Sequence, residues 1–134
     1  MFRKRQTEFL KKVLAKKEET FDAEGIERRM VITHNPFTLV TEPPFDIEQD
    51  IFKEWIGLLR EMKIDALLAG HVHEVMIVQP GDEFDSYKMQ NFPVIIASLL
   101  HEEYYAGCGL EFSKDGIEVT LVGNDGKVFG VHNF

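Results

Sequence analysis

The chain has 134 residues, of which 44% are hydrophobic and 28% charged, a composition typical of one soluble globular domain with a real core. Its formal net charge of −8 argues against a nucleic-acid-binding patch, which would need clustered basic residues. No apolar run is long enough to cross a membrane, and no apolar signal segment follows Met1. We therefore expect a cytoplasmic protein without a membrane partner. Cys108 is the single cysteine, which excludes a disulfide framework and a thiolate zinc site.

The beginning of the chain combines a helical pattern with a strand pattern. Apolar residues at helical spacing among charges predict an amphipathic helix over residues 4–18. The β-rich run 29–33 predicts a short strand. That strand should end at His34-Asn35-Pro36, because the residue before a proline is pushed away from the helical conformation.

The next segment completes a strand–helix–strand unit. Asp46, followed by Gln49, resembles a capping box, and the apolar stripe after it predicts a helix over residues 47–62. Residues 65–69 then form a second buried strand. Units of this length place their two strands parallel and close together in one sheet, so both predicted strands should end at the same sheet edge.

The C-terminal third has the pattern of an antiparallel meander. Residues 92–98 form an apolar strand candidate, and the later runs alternate apolar with polar or small residues. Asp115-Gly116 and Asp125-Gly126 are turn signals before the last strand, predicted over residues 127–131. The sequence thus predicts one α/β domain over residues 1–134, a βαβ unit followed by an antiparallel β-meander.

Three histidines follow the two parallel strands. His34 comes directly after the first strand, and Gly70-His71-Val72-His73 follows the second. Ligands in open α/β sheets bind outside the carboxyl ends of the strands, and neutral imidazole is a ligand for Zn, Fe and Ni. If the segment after Gly70 is extended, His73 projects to the same side as His71. We therefore predict a metal site at His34, His71 and His73; each histidine taken singly also fits a hydrogen-bonded loop residue.

Other polar residues are weaker candidates for this edge. His101 could support a metal ligand from a nearby loop or simply be exposed, and His132 lies close to the end of the chain. Several carboxylates could complete a metal shell but also suit ordinary solvent-exposed loops. They are Asp82, Glu83, Asp85, Glu102 and Glu103.

Together these segments resemble the last two motif blocks of the calcineurin-like metallophosphoesterases. The resemblance rests on Met30-Val31-Ile32-Thr33-His34-Asn35-Pro36 and on Ile64-Asp65-Ala66-Leu67-Leu68-Ala69-Gly70-His71-Val72-His73. The early Gln6-Thr7-Glu8-Phe9-Leu10 resembles a helix that often precedes those blocks. The resemblance implies a four-layer α/β/β/α sandwich, of which this chain would form half, with the C-terminal strands in its second sheet.

By that resemblance, His34 and His71 would bind one metal ion and His73 another. The two ions, of Mn, Fe, Zn or Ni, would activate water for attack on a phosphate-ester substrate. The family's three earlier blocks, Asp-x-His, Gly-Asp-x-x-Asp and Gly-Asn-His-Asp/Glu, do not precede these segments. Gly81-Asp82-Glu83-Phe84-Asp85 has the spacing of the second block, but it follows the last block, and we interpret it as a chance match.

We therefore expect the chain to be the C-terminal portion of a phosphoesterase domain, with its catalytic and substrate-binding residues elsewhere and little hydrolysis on its own. An unpaired sheet edge would then favour self-association or an unstable monomer. Two alternatives stay open. The chain could be a complete non-catalytic module that binds a metal or a partner, or a single-zinc hydrolase with three histidine ligands.

Overall fold

The computed structural model describes residues 2–22, 25–39, 49–97, 100–101 and 104–134. In that part of the chain it contains two α-helices, one π-helical turn and eight β-strands. In chain order they are α1 (Phe2–Ala15), the π-helical turn (Glu18–Asp22), β1 (Met30–Thr33), α2 (Gln49–Met62), β2 (Ala66–Ala69), β3 (Val75–Val78), β4 (Val94–Ala97), β5 (Leu100–His101), β6 (Tyr104–Phe112), β7 (Ile117–Gly123) and β8 (Val128–Asn133).

The strands form two four-stranded sheets. The first sheet has the order β1-β2-β4-β3, in which β1, β2 and β4 are parallel and β3 runs antiparallel to β4. The second sheet has the order β5-β6-β7-β8 and is antiparallel throughout. The protein is therefore mixed α/β, with a mixed sheet followed by an antiparallel one.

Two apolar clusters cover the two faces of the first sheet. On one face, Leu67 and Ile96 pack with the buried residues of α2, among them Ile56, while α1 adds half-buried side chains. On the other face, Ile95 packs with Val119 of the second sheet. Alternate residues of β2 and β4 thus point to opposite cores, as the pleat of a strand requires. The order of layers is helices, first sheet, second sheet.

The predicted βαβ unit is confirmed: β1 and β2 are parallel neighbours, with Met30 opposite Ala66 and Thr33 opposite Ala69. The first helix ends at Ala15, where residues 4–18 were expected, and the π-helical turn follows it. The capping residue Asp46 lies outside the described residues, as does Ser98 at the end of the predicted strand 92–98.

The antiparallel meander is confirmed for β6, β7 and β8, but the predicted strand 92–98 does not belong to it: this strand is β4 of the first sheet, parallel to β2. The first sheet also contains a strand that was not predicted from the sequence. This strand is β3, whose β-branched run of residues 75–78 lies between the histidine segment and a Pro-Gly turn. Among the described residues, no helix is long and apolar enough to cross a bilayer.

Candidate functional site

The two histidines that follow the parallel strands lie in contact. Nδ1 of His71 lies 3.0 Å from Nε2 of His34. Their ring centroids are 4.9 Å apart, with an angle of 78° between the ring planes. The contact forms because β1 and β2 are adjacent and parallel, so their carboxyl ends bring together side chains that lie 37 positions apart in the sequence.

Backbone and aromatic contacts hold the two loops in place. The N–H of Gly70 donates to the carbonyl of His34 at 3.1 Å, which extends the β1–β2 ladder as far as the histidines. After His34 the chain turns, and Phe37 inserts its ring next to Phe52 and Trp55 of α2, with centroids 5.9 and 5.5 Å away. Phe37 is buried. Its burial was not predicted from the sequence, because the apolar residues of the loop after His34 follow no helical or strand period.

The segment that carries the second and third histidines is a turn, so the expectation of an extended segment is wrong. His71 and His73 have φ angles of 71° and 57°, in the left-handed region that non-glycine residues rarely occupy. The turn is needed because the chain must cross the carboxyl end of β4 to enter β3, on the far side of the first sheet. Consecutive side chains therefore do not alternate as in a strand, and the argument that placed His73 beside His71 no longer applies.

The structure brings together His34 and His71 of the predicted trio. His73 is exposed at the same edge of the sheet. Within the described ranges, no group of three or more His, Cys, Asp or Glu side chains is arranged to hold a metal ion. His101 belongs to strand β5 and not to a loop, while Glu102 and Glu103 lie outside the described residues. His132 belongs to β8, where its ring stacks on that of Phe134.

The carboxylates of the Gly81–Asp85 segment serve the local turn. Oδ2 of Asp82 accepts the N–H of Gln79 at 2.7 Å, and Oδ2 of Asp85 accepts the N–H of Gly81 at 3.0 Å. Only 1% of Asp85 is exposed, and Lys88 donates to the carbonyls of Gly81 and Asp82. Turn geometry therefore explains why the two aspartates of Gly81–Asp85 are three residues apart. This supports the interpretation that the match to the Gly-Asp-x-x-Asp block is due to chance.

The His34–His71 pair fits a metal ion by its nitrogen separation. At 3.0 Å the nitrogens can share one proton in a hydrogen bond, or they can be two ligands of one ion. Bonds of about 2.0–2.1 Å, the usual zinc–imidazole distance, would place the nitrogens at an angle of about 90–100° around the ion. That angle suits neighbouring positions of an octahedral or a distorted tetrahedral site.

A comparison of the chain with protein-family models finds no match, and neither does a comparison with curated proteins. The function proposed for the site therefore rests on its own geometry and on the resemblance of its motifs.

Proposed function

We propose that this chain is part of a metal-dependent phosphoesterase and that His34 and His71 hold one of its metal ions. The observation that carries the proposal is the 3.0 Å approach of the two imidazole nitrogens at the carboxyl ends of neighbouring parallel strands. This is the place where open α/β sheets bind ligands. The reaction class is inferred from the strand–His-x-Pro and Gly-His-x-His segments, because they resemble the last metallophosphoesterase blocks.

The conformation of the histidine turn adds support. A non-glycine residue in the left-handed region costs roughly 1–2 kcal/mol, and such residues concentrate at functional sites. Left-handed geometry is not diagnostic alone, because Lys63 also adopts it, with φ 54°, where α2 ends. In the turn after β2, however, two residues adopt this strained conformation, and both are histidines, a residue type that binds metal ions.

In this proposal His34 and His71 bind the ion through the facing nitrogens, and His73 contributes to a second ion by the family resemblance. The ions would supply an activated water and neutralise charge on the phosphate ester during its hydrolysis. A local cation matters here because the chain carries a formal net charge of −8, which repels an anionic substrate at long range. The chain's own residues hold and orient the ion, and further ligands and the groups that bind substrate would come from outside the described residues.

The finer fold prediction, half of an α/β/β/α sandwich, belongs to the same proposal. Three of its layers match the helices and the two packed sheets. A fourth, helical layer would cover the outer face of the second sheet, where Tyr105, Val128 and Val131 are each more than half exposed. In this arrangement the chain would be the C-terminal portion of the domain.

A non-catalytic metal-binding module is the second candidate. The specific observation in its favour is that the described residues form no group of three or more potential ligands, whereas a catalytic zinc site normally has three protein ligands. A module that binds an ion through two histidines needs no further catalytic machinery.

Hydrolysis and metal binding measured on the same samples separate the two candidates. The purified chain would be loaded with Mn²⁺, Zn²⁺ or Ni²⁺ and assayed with p-nitrophenyl phosphate and bis(p-nitrophenyl) phosphate, while metal affinity is measured by calorimetry. We expect weak, metal-dependent hydrolysis that His34→Ala and His71→Ala both abolish. His132→Ala is the matched control, because its histidine lies in the second sheet.

Metal binding without hydrolysis of either ester, at any loading, would favour the non-catalytic module. Hydrolysis that persists in both His34→Ala and His71→Ala would contradict the assignment of the site.

A further inference from the structure

The first sheet ends at an open backbone edge. β1 pairs with β2 on one side and with no other strand among the described residues. The N–H of Leu67 donates to the carbonyl of Pro93, so Leu67 faces β4 and Leu68, which lies opposite Ile32, faces β1. In a parallel ladder such a residue bonds the residues on either side of its partner, so the backbone groups of Val31 and Thr33 point toward β2. Because neighbouring residues of a strand point their backbone groups in opposite directions, the N–H and C=O groups of Met30 and Ile32 face outward.

An apolar groove runs along this edge, between α1 and β1. It consists of two adjoining cavities of about 410 and 220 Å³. Phe9, Leu10, Val31 and Leu59 line both cavities. The groove therefore lies beside the same strand whose backbone groups are unpaired.

Large apolar side chains are exposed on both faces of the edge. Ile32 is 77% exposed, and Phe9 is 64% exposed. Phe9 lies on the helix side of the first sheet. Ile32 points to the opposite face, because it alternates with Val31, which packs in the cluster on the helix side. A strand that paired with β1 would cover both side chains, provided that it were apolar on both of its faces.

The rim of the groove is basic. Arg5 and Lys12 are exposed and share one side of α1 with Phe9, since the three recur at spacings of three or four residues. Lys16, also exposed, follows directly after the helix, four residues beyond Lys12. These three basic residues form no ion pair with the described part of the chain. A protein with a formal net charge of −8 thus has a positive rim beside its apolar groove, which favours an acidic partner.

The same rim disfavours a second copy of the chain as the occupant. Two β1 edges paired antiparallel would be related by a two-fold axis perpendicular to the sheet, as in any isologous contact of this kind. Both α1 helices would then lie on the same face and approach each other across the junction. Their basic rims would repel each other, and the acidic residues elsewhere in each chain would not neutralise either rim.

We propose that the β1 edge, together with the groove between α1 and β1, docks an extended strand of a separate partner polypeptide. The strand carries an apolar run flanked by acidic residues. Its backbone pairs with the outward groups of Met30 and Ile32, as in other complexes formed by strand addition. Its apolar side chains cover Phe9 and Ile32, and its carboxylates lie near the basic rim. This inference goes beyond the proposed hydrolysis and does not depend on it.

The test uses the whole chain and a synthetic peptide, Glu-Glu-Val-Ile-Val-Ile-Glu-Glu, with blocked ends and a fluorescent label. Binding is measured by anisotropy in a metal-free buffer, so that failure of the metal site does not affect the result. Amide hydrogen exchange at Met30 and Ile32 is followed in parallel. We expect the peptide to bind, with an affinity that falls as salt is added, and the exchange of these two amides to slow.

Variants of exposed residues identify the groove. Phe9→Glu should weaken binding by at least about tenfold, because it removes buried apolar area and adds a like charge. Lys12→Glu should weaken it by about two- to fivefold, the effect of one exposed charge pair. Phe84→Glu is the matched control. Phe84 is 50% exposed in the loop between β3 and β4 and does not line the groove, so its replacement should leave the affinity unchanged.

Three results would overturn the proposal. The first is that the peptide does not bind, or that a version with lysines in place of the glutamates binds equally well. The second is equal affinity for Phe9→Glu and the unmodified chain. The third is a dimer in sedimentation whose Met30 and Ile32 amides are already protected without peptide, which would show that a second copy covers the edge.

Discussion

Replacing either histidine of the contacting pair should remove the stabilisation that a bound metal ion gives to the fold. If His34 and His71 are ligands of one ion, as their 3.0 Å nitrogen separation allows, each provides half of the same chelate. His34→Ala, His71→Ala and the double variant should then lose metal affinity to a similar extent, because two residues that act as a unit are not additive.

The size of the effect follows from linkage. A ligand that binds only the folded state at about 100 times its Kd adds about 2.7 kcal/mol to the free energy of unfolding. For a domain of this size, that corresponds to an increase in Tm of roughly 10 °C. If a variant loses about 100-fold in affinity, the same metal concentration only equals its Kd, and the gain falls to about 0.4 kcal/mol, or roughly 1–2 °C.

The assay is thermal unfolding by circular dichroism with and without Zn²⁺ or Ni²⁺, at a concentration set from the Kd of the unmodified chain. His132→Ala should keep the full increase in Tm, because His132 lies in β8 of the second sheet. His73→Ala should keep most of it if His73 belongs to a second ion. An increase in Tm that survives in both His34→Ala and His71→Ala would refute the argument, and so would its loss in His132→Ala.

Three further predictions concern the scaffold around the site. The indole N–H of Trp55 donates to the hydroxyl of Thr7 at 2.7 Å in a buried contact. Thr7→Val should therefore lower the free energy of unfolding, measured by urea titration, by about 1–3 kcal/mol. The control Thr20→Val, at an exposed hydroxyl, should change it by less than about 0.5 kcal/mol. Lys63→Gly should stabilise the fold by up to about 1 kcal/mol, because it relieves a left-handed residue at the end of α2, and a decrease in Tm would contradict this. Burial raises the pKa of the Cys108 thiol above its ordinary value of 9.0, so its contribution to stability is complete below that value and is lost as the pH rises through the folded-state pKa. Cys108→Ala should therefore show a smaller loss of stability than the unmodified chain as the pH rises above 9.0, and identical losses would be the contrary result.

The sequence predicts the half of the site that depends on topology. A βαβ unit places its strands parallel in one sheet, and consecutive strands are neighbours in most folds, so the meeting of His34 and His71 is expected from two apolar runs and the helix between them. The meander is equally accessible, because Asp-Gly turns and alternating apolar residues are local signals. The packing of the two sheets through Ile95 and Val119 depends on contacts between segments distant in the sequence, and strand patterns alone do not contain it.

The turn after β2 could not be predicted in the same way. Its left-handed histidines follow from the path of the chain across β4. That path depends on β3, a four-residue strand (75–78) that was not predicted from the sequence. Once β3 is placed beside β4, the chain has to turn at residues 71–73. The short strand β3 thus explains why the extended conformation predicted after Gly70 was wrong. It also explains why the argument that placed His73 beside His71 fails.

The metal site and the open edge share the strand β1, which leads to a last prediction. Ile32, whose backbone faces outward, lies two residues before His34, so a strand paired with β1 should restrict the backbone that positions His34 against His71. The acidic peptide should then raise the metal affinity, and by linkage the metal must raise the peptide affinity by the same factor. We expect about a fivefold effect, the lower end of typical coupling, measured by calorimetric metal titrations with and without saturating peptide. If the peptide binds but leaves the metal affinity unchanged, the β1–β2 ladder that ends at Gly70 and His34 already fixes the histidines, and the edge and the site are independent.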